Sequence, residues 1–222
     1  MNLKTFSLTI FLAAALTLAQ SVSAQDKISE GKAEFDVQFP TEGMDEQVKA
    51  MMPTEAIIYF KGDKSRTEMQ MSIMNMVNIY DLKENLMITL MDVMGKKQAI
   101  KTDMSKEMGK IKPDDYKVDV TSETKEIAGY KCTKAIVTGK EDDMKFDIWF
   151  TKEIVARNSA NAQFKGIDGF PLQYEVPVPN MDGSMKMVCR SIKAEKVGDD
   201  KFVIPEGYDI KTQEEMNKQY SK

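Results

Sequence analysis

The chain has 222 residues, of which 31 are basic and 35 acidic, with a formal charge of −4 at pH 7 and no histidine. Charges of both signs are interspersed, which excludes a basic stripe for nucleic acid and a polybasic patch for anionic lipid. Without imidazole there is no common general base, no Ser-His or Cys-His nucleophile pair and no usual zinc site.

Residues 1–24 read as a cleavable signal peptide. Lys4 supplies the positive start, residues 6–19 the apolar run, and Val22-Ser23-Ala24 a small-residue cleavage site. The run is too short for a comfortable membrane span, and no later stretch approaches one. No cysteine stands at the cleavage site, so the expectation is a periplasmic or secreted protein with no lipid anchor, not an integral membrane protein. Residues 25–222 then form a single domain with room for a sizeable core.

Residues 32–39 alternate cleanly, with Ala33, Phe35, Val37 and Phe39 opposite Lys32, Glu34, Asp36 and Gln38. That is a first strand with one polar face. Met44, Val48, Met51 and Met52 fall at helical spacing, Asp45 and Glu46 favour a helix start, and Pro53 ends it. Residues 55–61 are apolar on both sides and read as a central strand. Strands follow at 64–71, 77–82, 86–92 and around 98–102, separated by short polar turns, as in β-rich meanders. A helical turn is expected within 105–110 and a loop at 113–115.

Residues 118–123 lead into a hairpin. Its first strand, 130–138, holds Cys132. A polar connection at 139–143 leads to a second strand in which Met144, Phe146, Ile148 and Phe150 alternate with Lys145, Asp147, Trp149 and Thr151. Residues 158–169 read as a loop with at most one helical turn. Strands at 170–176 and 185–196 flank a turn at 181–184, a short last strand is expected at 202–204, and the polar tail from 213 reads as a frayed helix. Cys132 and Cys189 are the only cysteines. In an oxidising compartment they are candidates for a disulfide, the alternative being two separate buried thiols.

By the hairpin the pattern resembles a known family. Ile127-Ala128-Gly129-Tyr130-Lys131-Cys132, Ile148-Trp149-Phe150-Thr151 and Ile204-Pro205-Glu206-Gly207-Tyr208 are similar to an uncharacterised family of exported proteins of Gram-negative bacteria, known as a domain of unknown function. Tyr59-Phe60-Lys61-Gly62-Asp63-Lys64-Ser65-Arg66 and Tyr80-Asp81 match its upstream pattern. That family is similar in turn to periplasmic lipoprotein carriers of the LolA and LolB kind. The resemblance implies an α+β fold: a strongly curved antiparallel sheet forming an incomplete β-barrel, a short helix on its concave side, and an apolar cavity for acyl chains. Composition and periodicity alone give a single β-rich domain, of about ten strands.

No G-x-S-x-G elbow, P-loop or G-x-G-x-x-G occurs, and no cofactor is expected. Asp and Glu are scattered on polar strand faces and in turns, so the chain reads as non-enzymatic. Arg66 suits carboxylate or phosphate recognition, but a surface ion pair with Glu68 or Asp63 is the simpler reading, and Arg66 is not taken as a site. Methionine is the unusual feature, with 18 residues. Met69/Met71, Met74/Met76 and Met185/Met187 are spaced to share strand faces. Thioethers suit Cu(I) as well as adaptable apolar packing. The expectation is that Met44, Val48, Met51 and Met52 cover a cavity lined partly by Met69, Met71, Met87 and Met91, which admits a lipid or acyl chain. A structural or protein-interaction module without a pocket is the alternative, and Cu(I) binding a further one.

Overall fold

The computed structural model describes residues 27–72, 74–107, 116–139, 145–164, 166–177 and 183–220. The expected signal peptide lies outside them, as do the expected loop at 113–115, residues 140–143 of the expected 139–143 connection and residues 181–182 of the expected 181–184 turn. The first half of the chain forms β1 (Glu30–Gln38), a short helix α1 (Glu46–Lys49), β2 (Glu55–Lys61), β3 (Lys64–Gln70), β4 (Met74–Asp81), β5 (Leu86–Val93), β6 (Lys96–Asp103) and α2 (Met104–Glu107). The second half forms β7 (Tyr116–Ile127), β8 (Tyr130–Gly139), β9 (Lys145–Thr151), α3 (Ser159–Gln163), β10 (Phe170–Pro177), β11 (Ser184–Ala194), β12 (Asp209–Thr212) and α4 (Gln213–Tyr220).

All twelve strands join one unclosed sheet in the order β12-β6-β5-β4-β3-β2-β1-β11-β10-β9-β8-β7. Two meanders, β1–β6 and β7–β11, are stitched together where β1 pairs with β11. Every pairing is antiparallel except β12 on β6. The alternating sequence places its apolar phase inward: Ala33, Phe35 and Val37 of β1 and Ala56, Ile58 and Phe60 of β2 are all buried. Lys32, Glu34 and Asp36 stand outward, and Arg190 donates to Glu55 (2.7 Å), Asp36 (3.2 Å) and Glu34 (3.5 Å) across that face. Trp149, on the wetter phase of β9, carries the Lys125 ammonium over its ring at 4.2 Å.

Met69 of β3 and Val137 of β8 belong to the same apolar cluster, although six places separate their strands in the sheet. A sheet that curls on itself gathers both into one core. The concave side is filled by aromatic contacts such as Phe60 with Phe170 (4.8 Å between ring centres) and Phe35 with Tyr174 (6.1 Å). It is also filled by α3, whose Phe164 meets Tyr116 (5.4 Å) and Phe146 (5.2 Å) edge-on. A buried side-chain box holds this short helix. Asn158 Oδ1 accepts from Ala160 N (3.0 Å), and Asn161 Oδ1 accepts from Asn158 N (2.9 Å). Asn161 Nδ2 donates to the carbonyls of Gly169 (2.7 Å) and Ile167 (3.3 Å).

A second, smaller core lies on the opposite face of the sheet. Ile79, Ile88, Leu90 and Ala99 point outward from β4–β6 and are covered by Val197 and Phe202 from the segment after β11. Residues 202–204 are therefore not the expected strand. Phe202 ends a 3-10 turn, Asp199–Phe202, and packs as a plug, while the last strand is β12. Arg66 is tied down on this face, donating to Glu68 (2.6 Å) and to the Lys201 carbonyl (3.1 Å).

Two further expectations are corrected. The helix expected over residues 44–52 spans only Glu46–Lys49, capped by Asp45, and buries none of its residues. The concave side is occupied instead by α3, the one helical turn allowed for in the 158–169 loop. The candidate disulfide does not form: Cys132 and Cys189 are free and buried. They lie on β8 and β11, with β9 and β10 between them. Three strand spacings amount to roughly 14 Å along the sheet, and each thiol bonds within its own strand, to Tyr130 O (3.6 Å) and Ser191 O (3.5 Å).

Candidate functional site

The concave face of β3–β6 differs from the rest of the interior. Register and strand parity define its cross-strand rows. One runs Ala56, Met69, Met76, Met91 and Gln98; the next Ile58, Thr67, Asn78, Thr89 and Ile100; the third Phe60, Ser65, Tyr80, Met87 and Thr102. Beyond the first row, Met71 and Met74 face each other at the β3–β4 turn, where Met71 N donates to Met74 O (2.9 Å). Met71, Met74, Met76, Met87 and Met91 are all only partly buried, while Met69 is 8% exposed. Met69 and Met76 pack on the main core; Met71, Met74, Met87 and Met91 belong to neither core.

The sheet itself creates this surface. Over β8–β11 the concave side is packed tight by its own aromatics and α3. Over β4–β6 the tightly covered side is the outer one, so the inner phase is left partly open. The polar members of the face are arranged. Thr89 Oγ1 donates to Asn78 Oδ1 (2.9 Å). Tyr80 reaches inward to a hydrogen bond with Ser159, and burial pushes its phenol up despite that bond. Tyr174 is buried close to the same hydroxyl, and burial, then Tyr80, raises its phenol as well. Ser65 and Thr102 are buried with no partner for their hydroxyls among the described residues.

The sequence-derived set divides accordingly. Met69, Met71, Met87 and Met91 do share one face, joined by Met74 and Met76, whose spacing was visible but whose pairing was not. Val48 and Met51 are 44% and 43% exposed, and Met44 and Met52 partly buried. Their segment adjoins the methionine end of the face, because Ser72, in the β3–β4 turn, donates to the Ala50 carbonyl (3.2 Å). It stands at the rim and does not roof the face. Open hollows lie on the described surface. One, about 360 Å³, is lined by Glu55, Ile57, Arg66, Glu68 and Val77 together with Met69 and Met76. Two more, about 330 and 210 Å³, lie beside Lys61, Asp81 and Asp199 and beside Lys27, Ile154 and Asn161. Of the expected cavity lining, Met69 borders the first of these, and Met71, Met87 and Met91 border none of the three. No cluster of three or more His, Cys, Asp or Glu side chains able to hold a metal occurs among the described residues. None of their helices is long and apolar enough to cross a membrane.

Residues 43–208 match the model of a family described as a domain of unknown function, DUF4412. That span contains every motif on which the family resemblance rests. A search of curated proteins gave no match. Among solved structures, PNGF-II in a C2 crystal form superposes with a TM-score of 0.54 at 17% identity over 86% of this chain. Its P21 form gives 0.55 at 17% over 87%. The chain spans only about a third of PNGF-II, 32% and 34% of those two chains, so the likeness is one of fold. MucB aligns at a TM-score of 0.36 and 8% identity over 82% of this chain and 59% of its own, too distant to bear on fold or function.

Proposed function

The chain belongs to the DUF4412 family of unknown function, and on that premise we propose that it is an exported, non-enzymatic protein that binds an acyl chain or similar apolar ligand along the concave methionine face. The observation that carries this reading is the partly open patch of Met71, Met74, Met76, Met87 and Met91 beside a fully packed core. Unbranched thioether side chains adapt to varied apolar partners, and they recur at surfaces that must accept them. The rim segment with Val48 and Met51 offers further apolar contact once a chain is seated. The absence of histidine from the sequence and the pairing of Glu34, Asp36 and Glu55 with Arg190 favour binding over catalysis.

The test is fluorescence enhancement of N-phenyl-1-naphthylamine by delipidated protein, with displacement by palmitic acid. Met87→Glu with Met91→Glu should abolish uptake while urea unfolding stays cooperative, because both positions are already partly wet. Absence of uptake by the wild type would leave the face as a contact surface of a pocketless interaction module. The same clustering of thioethers also suits Cu(I). Titration against a competing chelator decides that reading, which fails if the chelator keeps all the metal.

A further inference from the structure

The inner end of the methionine face holds hydrogen-bonding groups that the fold leaves unused. Ser65 is 0% exposed and Asn158 1% exposed, and neither Ser65 Oγ nor Asn158 Nδ2 has a partner among the described residues. Both flank one contact. Tyr80 is the register partner of Ser65, and its hydroxyl bonds Ser159, the neighbour of Asn158. Arg157 N donates to Gly62 O (2.9 Å), which fixes residues 157–159 against the turn that leads into Ser65. The other polar atoms of Asn158 are committed, Oδ1 to Ala160 N and the backbone N to Asn161 Oδ1. Its Nδ2 is therefore the remaining donor. Buried donors left unpaired are costly, and folded proteins keep few of them without a use.

We propose that Ser65 and Asn158, on either side of the Tyr80–Ser159 contact, form a polar seat for the carbonyl oxygen of an ester- or amide-linked acyl chain whose hydrocarbon runs outward past Met76, Met87 and Met91. The inference rests on the acyl-binding reading of that face. A carbonyl oxygen has two lone pairs, matched by one hydroxyl and one amide N–H. An ionised carboxylate fits poorly. Arg157, the basic residue beside the seat, is half exposed and engaged by Asp63 (3.6 Å). The surroundings are apolar enough to hold the neighbouring phenols of Tyr80 and Tyr174 in their neutral form.

The experiment compares methyl palmitate with hexadecane as displacers of N-phenyl-1-naphthylamine from the purified protein. The ester should displace the dye at roughly thirtyfold lower concentration, the worth of two net hydrogen bonds. Ser65→Ala should cut that preference about fivefold without changing hexadecane, and should melt at or above the wild-type temperature, since the lost hydroxyl has no partner among the described residues. Asn158→Asp keeps the oxygen that caps Ala160 and removes the donor, so it should cut the preference by a similar factor. Equal displacement by ester and alkane in the wild type, or a preference left unchanged by Ser65→Ala, overturns the seat and leaves the acyl-binding reading standing. If neither compound displaces the dye, that reading falls and the seat with it.

Discussion

Replacing Asn161 by alanine is the sharpest test of how the concave side is held together. One 7%-exposed side chain accepts from Asn158 N and donates to the carbonyls of Gly169 and Ile167. Its removal deletes three hydrogen bonds and strands backbone groups in the interior. At roughly 1 kcal/mol for each bond, plus the desolvation cost of the orphaned groups, the loss comes to about 3–5 kcal/mol. With an m-value of about 2–3 kcal/mol/M in urea, the unfolding midpoint should fall by about 1–2 M. Asn158→Ala breaks the same box from the other side. The double variant should therefore cost less than the sum of the singles, by at least about 1 kcal/mol. A single-variant cost below about 1 kcal/mol, or strict additivity, would show that α3 is held by its apolar contacts alone and that the box is incidental.

Four further outcomes are expected. Both thiols should resist alkylation in the native protein at pH 8, because burial pushes Cys132 up to about 11 and Cys189 up to about 12, and both should react in denaturant; a mass showing no alkylated cysteine would mean a disulfide. Since the unfolded thiols ionise near 9 and the folded ones keep their protons, stability should fall as pH rises from about 9 to 11, and the fall should be shallower in a Cys132→Ala, Cys189→Ala variant. Gly31→Ala should destabilise by about 2–3 kcal/mol in urea titration, because a Cβ there would stand 2.5 Å from the Lys193 carbonyl and 2.9 Å from the Phe60 ring; a neutral result would mean that β1 and β11 can separate at no cost. Phe202→Ala should cost about 3–5 kcal/mol, as for a buried aromatic, and a value near zero would demote the outer core to surface packing.

Strand periodicity carried most of the architecture. The alternation of residues 32–39 and 145–151 gave both the elements and the buried phase, because a half-buried strand has only two faces to choose between. The helices were less legible. Residues 44–52 have helical spacing, yet only one turn forms, and it stands at the rim of the concave face with none of its residues buried. Ser159–Gln163 carries almost no apolar pattern, since its position is fixed by Asn158 and Asn161, whose partners are backbone groups. Phe202 looked like a strand residue because a single buried aromatic reads the same in a strand and in a plug. For the candidate site, parity put Met69 with Met71 and Met87 with Met91. Register was needed to set Met76 between Met69 and Met91, and to place Ser65 beside Tyr80, and register depends on pairings that local sequence does not state.

The outer core has a consequence for the order of events in folding. Ile79, Ile88, Leu90 and Ala99 are made early in the chain, but the residues that shelter them, Val197 and Phe202, come from near its far end, and the Arg66–Lys201 tie closes a loop of 135 residues. Until that late segment arrives, one side of the first meander is an apolar surface facing water. Closing so long a loop is entropically unfavourable, and the apolar burial that offsets it comes only at the end. A growing chain therefore keeps this surface uncovered until residues 197–202 have been made, in a form that a protease or a holding chaperone can recognise and the completed fold no longer presents.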